Sequence, residues 1–495
     1  MQLPSYAELN ITAIYPVLAL IIWATLLLVA DLFIRRKLLT ALVALGGVLI
    51  SGGLLAMQQT SALNLAHGSA LNGMIVVDTF ALAMQGIFLI AAFIGILIAV
   101  EYLPKHRLER GEYYALLLYA TAGMMLMALA ADLIMVFLAL ELLSIPLYVL
   151  TGLARPRLES EEAAMKYFLL GAFASGFMVY GIALTYGGTG TTSLGGIVAA
   201  LEGGAASLPL VLIGMGLIVV GLGFKVAAVP FHMWTPDVYQ GAPTPVTAYM
   251  SVGAKAGGFA ALLRVLLLAF PTIAVEWGAV IMIVAALTLI LGNIVAISQR
   301  EIKRMLAYSS IAHAGYILIA VAAAQNPEVA PYATSAALFY LLTYAFTNLG
   351  AFGVVTAIEH PDGSGTLIED FAGLSKTHPL LALCMALFML SLTGMPISAG
   401  LVGKFFVFRA AILAAAGNGW MIALAIIGVL TSVISAFYYL RVVLMMYFRE
   451  GEGQASLPPA LGTAVFFTAL ATFVLGIVPG PIFRVALDAV LTLGG

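Results

Sequence analysis

Apolar runs long enough to cross a bilayer recur from one end of this sequence to the other. A hydrocarbon core of ~30 Å needs about 20 helical residues. No water reaches the backbone there, so each run must satisfy its own hydrogen bonds as a helix. Composition agrees. Charged residues make up 9% of the chain and hydrophobic residues 63%, whereas a soluble domain carries about 25% charged residues. The expected fold class is an all-α polytopic membrane protein.

On that ruler the chain holds about fourteen transmembrane spans. The first six run roughly 11–34, 39–57, 76–100, 112–130, 133–153 and 163–187. The next five run roughly 208–240, 246–270, 277–298, 305–324 and 332–358. The last three run roughly 380–415, 420–447 and 460–479.

The lysines and arginines test this count, because a missed span would scramble their alternation between faces. Thirteen of the 21 fall in loops of one face: Arg35, Arg36, Lys37, Lys105, Arg107, Arg110, Arg155, Arg157, Arg300, Lys303, Arg304, Lys376 and Arg449. The other face holds only Arg484, and seven lie inside spans. The positive-inside rule assigns the basic face to the cytoplasm. Both termini are then expected on the periplasmic side of a bacterial inner membrane. The first residues, Met1 to Glu8, lack the basic region of a signal peptide, so the run from Ile11 to Ile34 reads as a retained helix.

Several chemistries are excluded. A net charge of −2 offers no basic patch for nucleic acid. Cys384 is the single cysteine, so no internal disulfide, iron–sulfur cluster or cysteine zinc site can form. The histidines (His67, His106, His232, His313, His360 and His378) show no metal-ligand spacing. There is no dinucleotide fingerprint and no phosphate loop. No cofactor is expected in this chain. If it serves redox chemistry, the electrons travel elsewhere.

Two spans are too long. The seventh contains FKVAAVPFHMWTPDVYQG, with Pro230 and Pro236. The twelfth contains SLTGMPISAGLVGKFFVF, with Gly394, Pro396, Gly400 and Gly403. As single helices each would reach ~50 Å, more than the bilayer. Proline removes a backbone donor and clashes with the preceding turn, so each should break. Breaks at membrane depth persist only where they line a cavity or are packed in protein. Two broken helices five spans apart point to an inverted repeat with its site at the breaks. This divides the chain into helices 1–3 (1–111), a first five-helix repeat (112–270), a second (271–447) and a C-terminal helix with its tail (448–495).

Ionisable groups inside a bilayer are costly, and so tend to be paired or functional. Glu141 lies near the centre of the fifth span, with Asp237 comparable in depth beyond the seventh break. Lys225 lies at the seventh break, Lys255 mid-span in the eighth, and Lys404 just after the twelfth break. His313 lies about two turns into the tenth span, and Lys166 at the start of the sixth. A desolvated lysine with a movable carboxylate partner can load and release a proton as the pair forms and parts. Histidine can relay between lysines. Arginine stays protonated, so Arg264, Arg409 and Arg441 are read as packing or interface residues. A structural ion pair, a satisfied core histidine and a snorkelling Lys166 are the plain alternatives. Three midplane lysines, one midplane glutamate and two breaks together favour a proton path.

Long stretches then become familiar. LALELLSIPLYVL (138–150), AAMKYFLLGAFASGF (163–177), FKVAAVPFHMWTPDVYQGAPTPVTAYMSVGAKAGGFA (224–260), REIKRMLAYSSIAHAGYI (300–317) and GMPISAGLVGKFFVFRAA (394–411) resemble the antiporter-like subunits of proton-pumping NADH:quinone oxidoreductase, respiratory complex I. The resemblance covers nearly the whole chain and is strongest to the subunit N branch. It implies fourteen helices, two inverted five-helix repeats, and broken seventh and twelfth helices. It also implies that Glu141 pairs with Lys225, that Lys255 is the central lysine and that Lys404 is the exit-side lysine. His313 and Lys166 match positions of the polar axis. The wording WTPDVY and the lysine at 404 favour subunit N over its sisters, as does an end soon after the fourteenth span. Ile397-Ser398 departs from the usual wording of the twelfth break.

The resemblance implies partners too: other membrane-arm subunits of complex I and the lipid bilayer. FMN, iron–sulfur clusters and quinone would belong to partner subunits. A multi-subunit Na+/H+ antiporter subunit and a purely structural scaffold are the rival readings. The polar loop 359–379 is the expected docking surface.

Overall fold

The computed structural model describes residues 9–60 and 68–492. The signal-peptide reading of the first residues, and His67, fall outside them. The chain is a polytopic helical bundle. Its first six crossings are α1 (Tyr15–Asp31), α2 (Lys37–Gln59), α3 (Thr79–Lys105), α4 (Glu112–Leu129), α5 (Leu133–Thr151) and α6 (Leu158–Thr189). A short α7 (Leu194–Glu202) leads to the seventh, made of α8 (Leu208–Lys225) and α9 (Trp234–Gly241). Then come α10 (Thr244–Arg264), α11 (Ala274–Ile297), α12 (Ile302–Ala323) and α13 (Ala330–Ile358). After a one-turn α14 (Leu374–Thr377), the twelfth crossing is split into α15 (Pro379–Thr393) and α16 (Ala399–Ala414). The chain continues through α17 (Trp420–Phe448), α18 (Pro459–Ile477) and a short α19 (Gly480–Leu487).

Both expected breaks are present. At each, a residue other than glycine adopts the left-handed backbone region: Ala227 at φ 62° and Ile397 at φ 66°. Such conformations cost of order 1–3 kcal/mol and persist only where their surroundings impose them. Gly394 supplies the other sharp turn, at φ 90°. Gly400 lets α16 approach α15 closely, since a Cβ there would stand 1.8 Å from the Ser391 carbonyl oxygen. The Ile397-Ser398 departure therefore leaves the break intact.

Local chemistry explains the helix starts. Asp78, Asp132 and Glu301 cap α3, α5 and α12, accepting the backbone N–H groups of Ala81 (2.8 Å), Ile134 (2.8 Å) and Arg304 (2.5 Å). Acidic side chains at helix N-termini meet both unpaired N–H groups and the positive end of the dipole. Prolines open α8, α10, α13, α15 and α18, where a missing donor costs nothing.

Several boundaries differ from expectation by a few residues, and two of the differences have a local cause. The sixth crossing begins at Leu158 rather than near 163, because Glu159 and Glu161 suit a first helical turn instead of ending the helix. Residues before α3 pair as a small hairpin, Gly68–Ala70 with Ile75–Val77, a local exception to the all-helical expectation.

The loops assigned to the basic face touch one another. Lys105 reaches the Glu359 carbonyl (2.8 Å), Lys303 reaches the Ala242 carbonyl (2.9 Å), and Arg157 reaches the Pro361 carbonyl. On the opposite face Asp78 meets Arg264 (2.6 Å), and Thr79 meets Asp488 (2.8 Å). A miscounted span would have mixed these groups.

Helices α10, α12 and α13 are almost entirely buried and form the axis of the bundle. By contrast, α1, α2, α6, α11 and α17 turn large apolar side chains outward, as a lipid-facing shell requires. Where α11 and α12 cross, Gly292 and Gly315 bring backbone against backbone.

Candidate functional site

The buried axis carries a polar row. Lys225, the last residue of α8, is 2% exposed. Its Nζ donates to Tyr167 Oη at 3.3 Å and lies 5.2 and 5.7 Å from the ring centres of Tyr167 and Tyr148. Its stem packs on Gly258 of α10, where a Cβ would stand 3.4 Å from the Lys225 Cβ. One turn back on α10 is Lys255, equally buried, whose ammonium bonds both the carbonyl and the hydroxyl of Ser310.

Helix α12 carries the row onward in steps of three residues. Ser310 holds Lys255. His313 follows, with Nδ1 2.8 Å from Tyr340 Oη and Nε2 3.1 Å from Tyr439 Oη. Tyr316 comes next, and its ring centre is 4.6 Å from Lys404 Nζ. Lys404 donates to the Leu392 carbonyl (3.0 Å), the Thr393 carbonyl (2.8 Å) and Ser432 Oγ (2.7 Å). These carbonyls end α15, where the helix dipole is negative, so α16 supplies the cation that α15 needs. All three ammonium protons are engaged.

Among the described residues no carboxylate contacts Lys225, Lys255 or Lys404. Each ammonium is held only by hydroxyls, carbonyls and aromatic faces. Gaining or losing a proton there breaks no ion pair. This arrangement suits stepwise proton transfer.

Glu141 does not join the row in this conformation. Its carboxylate accepts from Ser175 Oγ at 2.5 Å. It is half-buried, on the rim of an outward face with Leu138 and Ile145. Lys225 and Ser175, the hydroxyl partner of Glu141, line one small crevice together with Tyr148 and Ala174, and no ion pair joins Glu141 to Lys225. The implied Glu141–Lys225 pair is parted here.

Lys166 also stands away from the row. It is 41% exposed and pairs with Glu162 (2.6 Å) and Asp237 (2.7 Å), while Arg304 pairs with the other Asp237 oxygen (2.7 Å). Of the arginines set aside as carriers, Arg264 is wholly buried against Asp78 (2.6 Å). Arg441 caps the end of α11 through the Ile297 carbonyl (3.1 Å), and Arg409 covers the Tyr332 ring.

Sequence reasoning missed the tyrosines and serines that join the lysines. Tyr340 and Tyr344 are four residues apart on α13, and Ser310 and His313 are three apart on α12. That spacing places each pair on one helix face. A search for polar side chains recurring at helical spacing inside the buried spans would have found them.

The loop 359–379 is folded onto the bundle rather than free. Ile302 N–H donates to the Thr366 carbonyl (2.8 Å) and Ile368 N–H to the Arg300 carbonyl (2.9 Å), with Ile368, Phe371 and Leu374 buried.

A family model described as NADH:quinone oxidoreductase/Mrp antiporter, TM, matches residues 130–435. The NADH-quinone oxidoreductase subunit N of Chloroflexus aggregans is 46% identical over 493 residues, covering 97% of each chain. A chain of respiratory complex I from Thermus thermophilus, solved with bound aureothin, is 34% identical with a TM-score of 0.79, over 97% of this chain and 100% of that one. A chain of the Mrp complex from Dietzia sp. DQ12-45-1b is 22% identical with a TM-score of 0.81, over 98% of this chain and 97% of that one, a likeness of fold alone. The chain belongs to the NADH:quinone oxidoreductase and Mrp antiporter family of transmembrane subunits.

Proposed function

We propose that this chain is the subunit N proton-translocating module in the membrane arm of a bacterial NADH:quinone oxidoreductase. The observation that carries the reading is the buried row Lys225–Lys255–His313–Lys404, free of carboxylate contact and bounded by two helix breaks. The extent of the likeness to subunit N supports this assignment over a cation antiporter, with which the chain shares the family model and the fold. The basic face is cytoplasmic and both termini are periplasmic. FMN, iron–sulfur clusters and quinone reside in partner subunits, which also cover the outward rim at Glu141. Residues 112–270 and 271–447 act as two inverted repeats, one around each break.

Electron transfer in partner subunits reaches this chain only as field and conformation. When Glu141 leaves Ser175 and approaches Lys225, the ammonium is stabilised there. When they part, as here, the proton shifts toward Lys255. His313, between Tyr340 and Tyr439, relays it toward Lys404, and release follows on the face opposite the basic loops.

The test is Glu141→Gln and Lys225→Ala in assembled membranes, followed by proton pumping and quinone-linked NADH oxidation. Loss of pumping with assembly retained is the expected result. Full pumping and turnover in both variants would remove the coupling role.

A further inference from the structure

At the basic face a cavity of about 200 Å³ opens between the loops, walled by Tyr102, Arg157, Glu301, Lys303, Glu359 and Thr366. Glu359 lies at its inner wall and is 2% exposed. Its carboxylate has no ion pair among the described residues. Tyr102 Oη donates to one oxygen at 3.1 Å, and Thr244 Oγ1 donates to the other. The neighbouring lysines direct their ammonium groups elsewhere: Lys105 to the Glu359 main-chain carbonyl and Lys303 to Ala242. A buried carboxylate held by two hydroxyls and facing a polar cavity can exchange protons with water.

A polar seam leads inward from it. Glu359 follows the last residue of α13, and Thr244 is the first of α10. The two helices run antiparallel into the bundle. Their next polar rung is Asn348 Nδ2 to Ser251 Oγ, at 2.6 Å. Asn348 Oδ1 is buried there without a hydrogen-bond partner. A buried amide oxygen ordinarily has a partner, and water is the usual one where protein supplies none. The third rung is Lys255 on α10 and Tyr344 on α13, joined through Ser310 of α12, whose hydroxyl accepts from Lys255 Nζ and, at 2.9 Å, from Tyr344 Oη. At 1.5 Å rise per residue the rungs on α10 are ~10 and ~6 Å apart, distances that one to three waters bridge.

We propose that Glu359 is the carboxylate that takes up protons at the basic face, and that the α10–α13 seam conducts them past Asn348 and Ser251 to Lys255. This rests on the proton-translocating reading above. Water in the cavity gives a proton to a Glu359 oxygen. Glu359 passes one to water in the seam, and a neutral Lys255 amine receives it at Nζ. Only O–H and N–H bonds form and break, so no redox partner is needed.

The experiment uses the full complex in native membranes, with assembly checked on native gels. Proton pumping and NADH oxidation are measured for Glu359→Gln, Asn348→Leu and Lys255→Ala. Glu359→Gln keeps the size and acceptor oxygen but cannot carry the proton, while Asn348→Leu makes the seam apolar. The inference expects each to lower coupled turnover at least threefold in assembled complex, with Glu359→Asp recovering part of the loss. Full activity of both, with Lys255→Ala impaired, overturns the intake assignment and leaves the proposed function standing. Full activity of Lys255→Ala overturns the proposed function itself. If Glu359→Gln does not assemble, Asn348→Leu decides by the same criterion.

Discussion

Lys404 Nζ donates to the carbonyl oxygen of Thr393 at 2.8 Å, so one half of the broken twelfth crossing caps the other. The bond joins the protonation of a side chain to the geometry of a helix end. A charged lysine has three donors for three acceptors, whereas a neutral amine leaves one acceptor unserved.

Structure and transport should separate at this position. Lys404→Met leaves the α15 carbonyls without their cation, and each buried acceptor left unpaired costs about 1–3 kcal/mol. Both melting temperature and pumping should fall. Lys404→Arg can still donate to the carbonyls but does not release its proton. It should recover much of the melting temperature and none of the pumping. Thermal unfolding of the purified complex, set beside pumping in vesicles, checks the split.

Arg264 and Asp78 form a pair with both side chains almost fully buried, 0% and 3% exposed. Arg264→Leu leaves a carboxylate in the interior without its partner, which costs about 3–5 kcal/mol. Adding Asp78→Asn removes that charge while keeping an oxygen for the Ala81 N–H cap. The double variant should melt above the Arg264→Leu single variant, as calorimetry on the three proteins would show.

Glu301 offers a pH signature outside the membrane spans. Burial pushes its carboxyl up, outweighing Lys303 and the backbone N–H groups of Lys303 and Arg304 that favour the anion. A carboxyl raised in the folded state binds more protons folded than unfolded. Its stabilisation is complete below the unfolded value of about 4.3 and fades as pH rises through the higher folded value. Glu301→Gln removes this term but keeps a capping oxygen. The difference in melting temperature, variant minus wild type, should grow in the variant's favour as pH rises through that window. A flat difference between pH 4 and 7 would refute the assignment.

Lys166 should tolerate change. Its pairs with Glu162 and Asp237 are substantially exposed, and such pairs contribute about 0–1 kcal/mol. Lys166→Ala should keep pumping within twofold of wild type in the assay where Lys255→Ala is impaired. A loss as large as that of Lys255→Ala would return Lys166 to the proton path.

Much of this was legible because the bilayer restricts what a sequence can do. Hydropathy and the placement of Lys and Arg gave fourteen crossings, since both report a solvent boundary. Pro230, Pro236, Gly394 and Gly400 announced the breaks because they alter the backbone itself. Depth along a span placed Lys255 and Lys404. Direction around a helix was harder to read. Glu141 faces Ser175 at the rim rather than Lys225, and only packing decides that. Glu359 was hidden for the opposite reason. It belongs to a polar loop, and its carboxylate is buried against Tyr102 and Thr244, distant in sequence, a tertiary event without a local pattern. The tyrosines drew no reading at all, because their hydroxyls acquire meaning only beside Lys225, His313 and Lys404.

Cys384 is the one cysteine of the chain and lies buried on α15, ten residues before Gly394. The half-helix whose end holds Lys404 thus carries its own reporter. A membrane-permeant maleimide can react with this chain at that thiol alone, at a rate set by how often α15 loosens from its neighbours. Timing that reaction in resting and turning-over complexes would measure the motion of the twelfth crossing without adding a label.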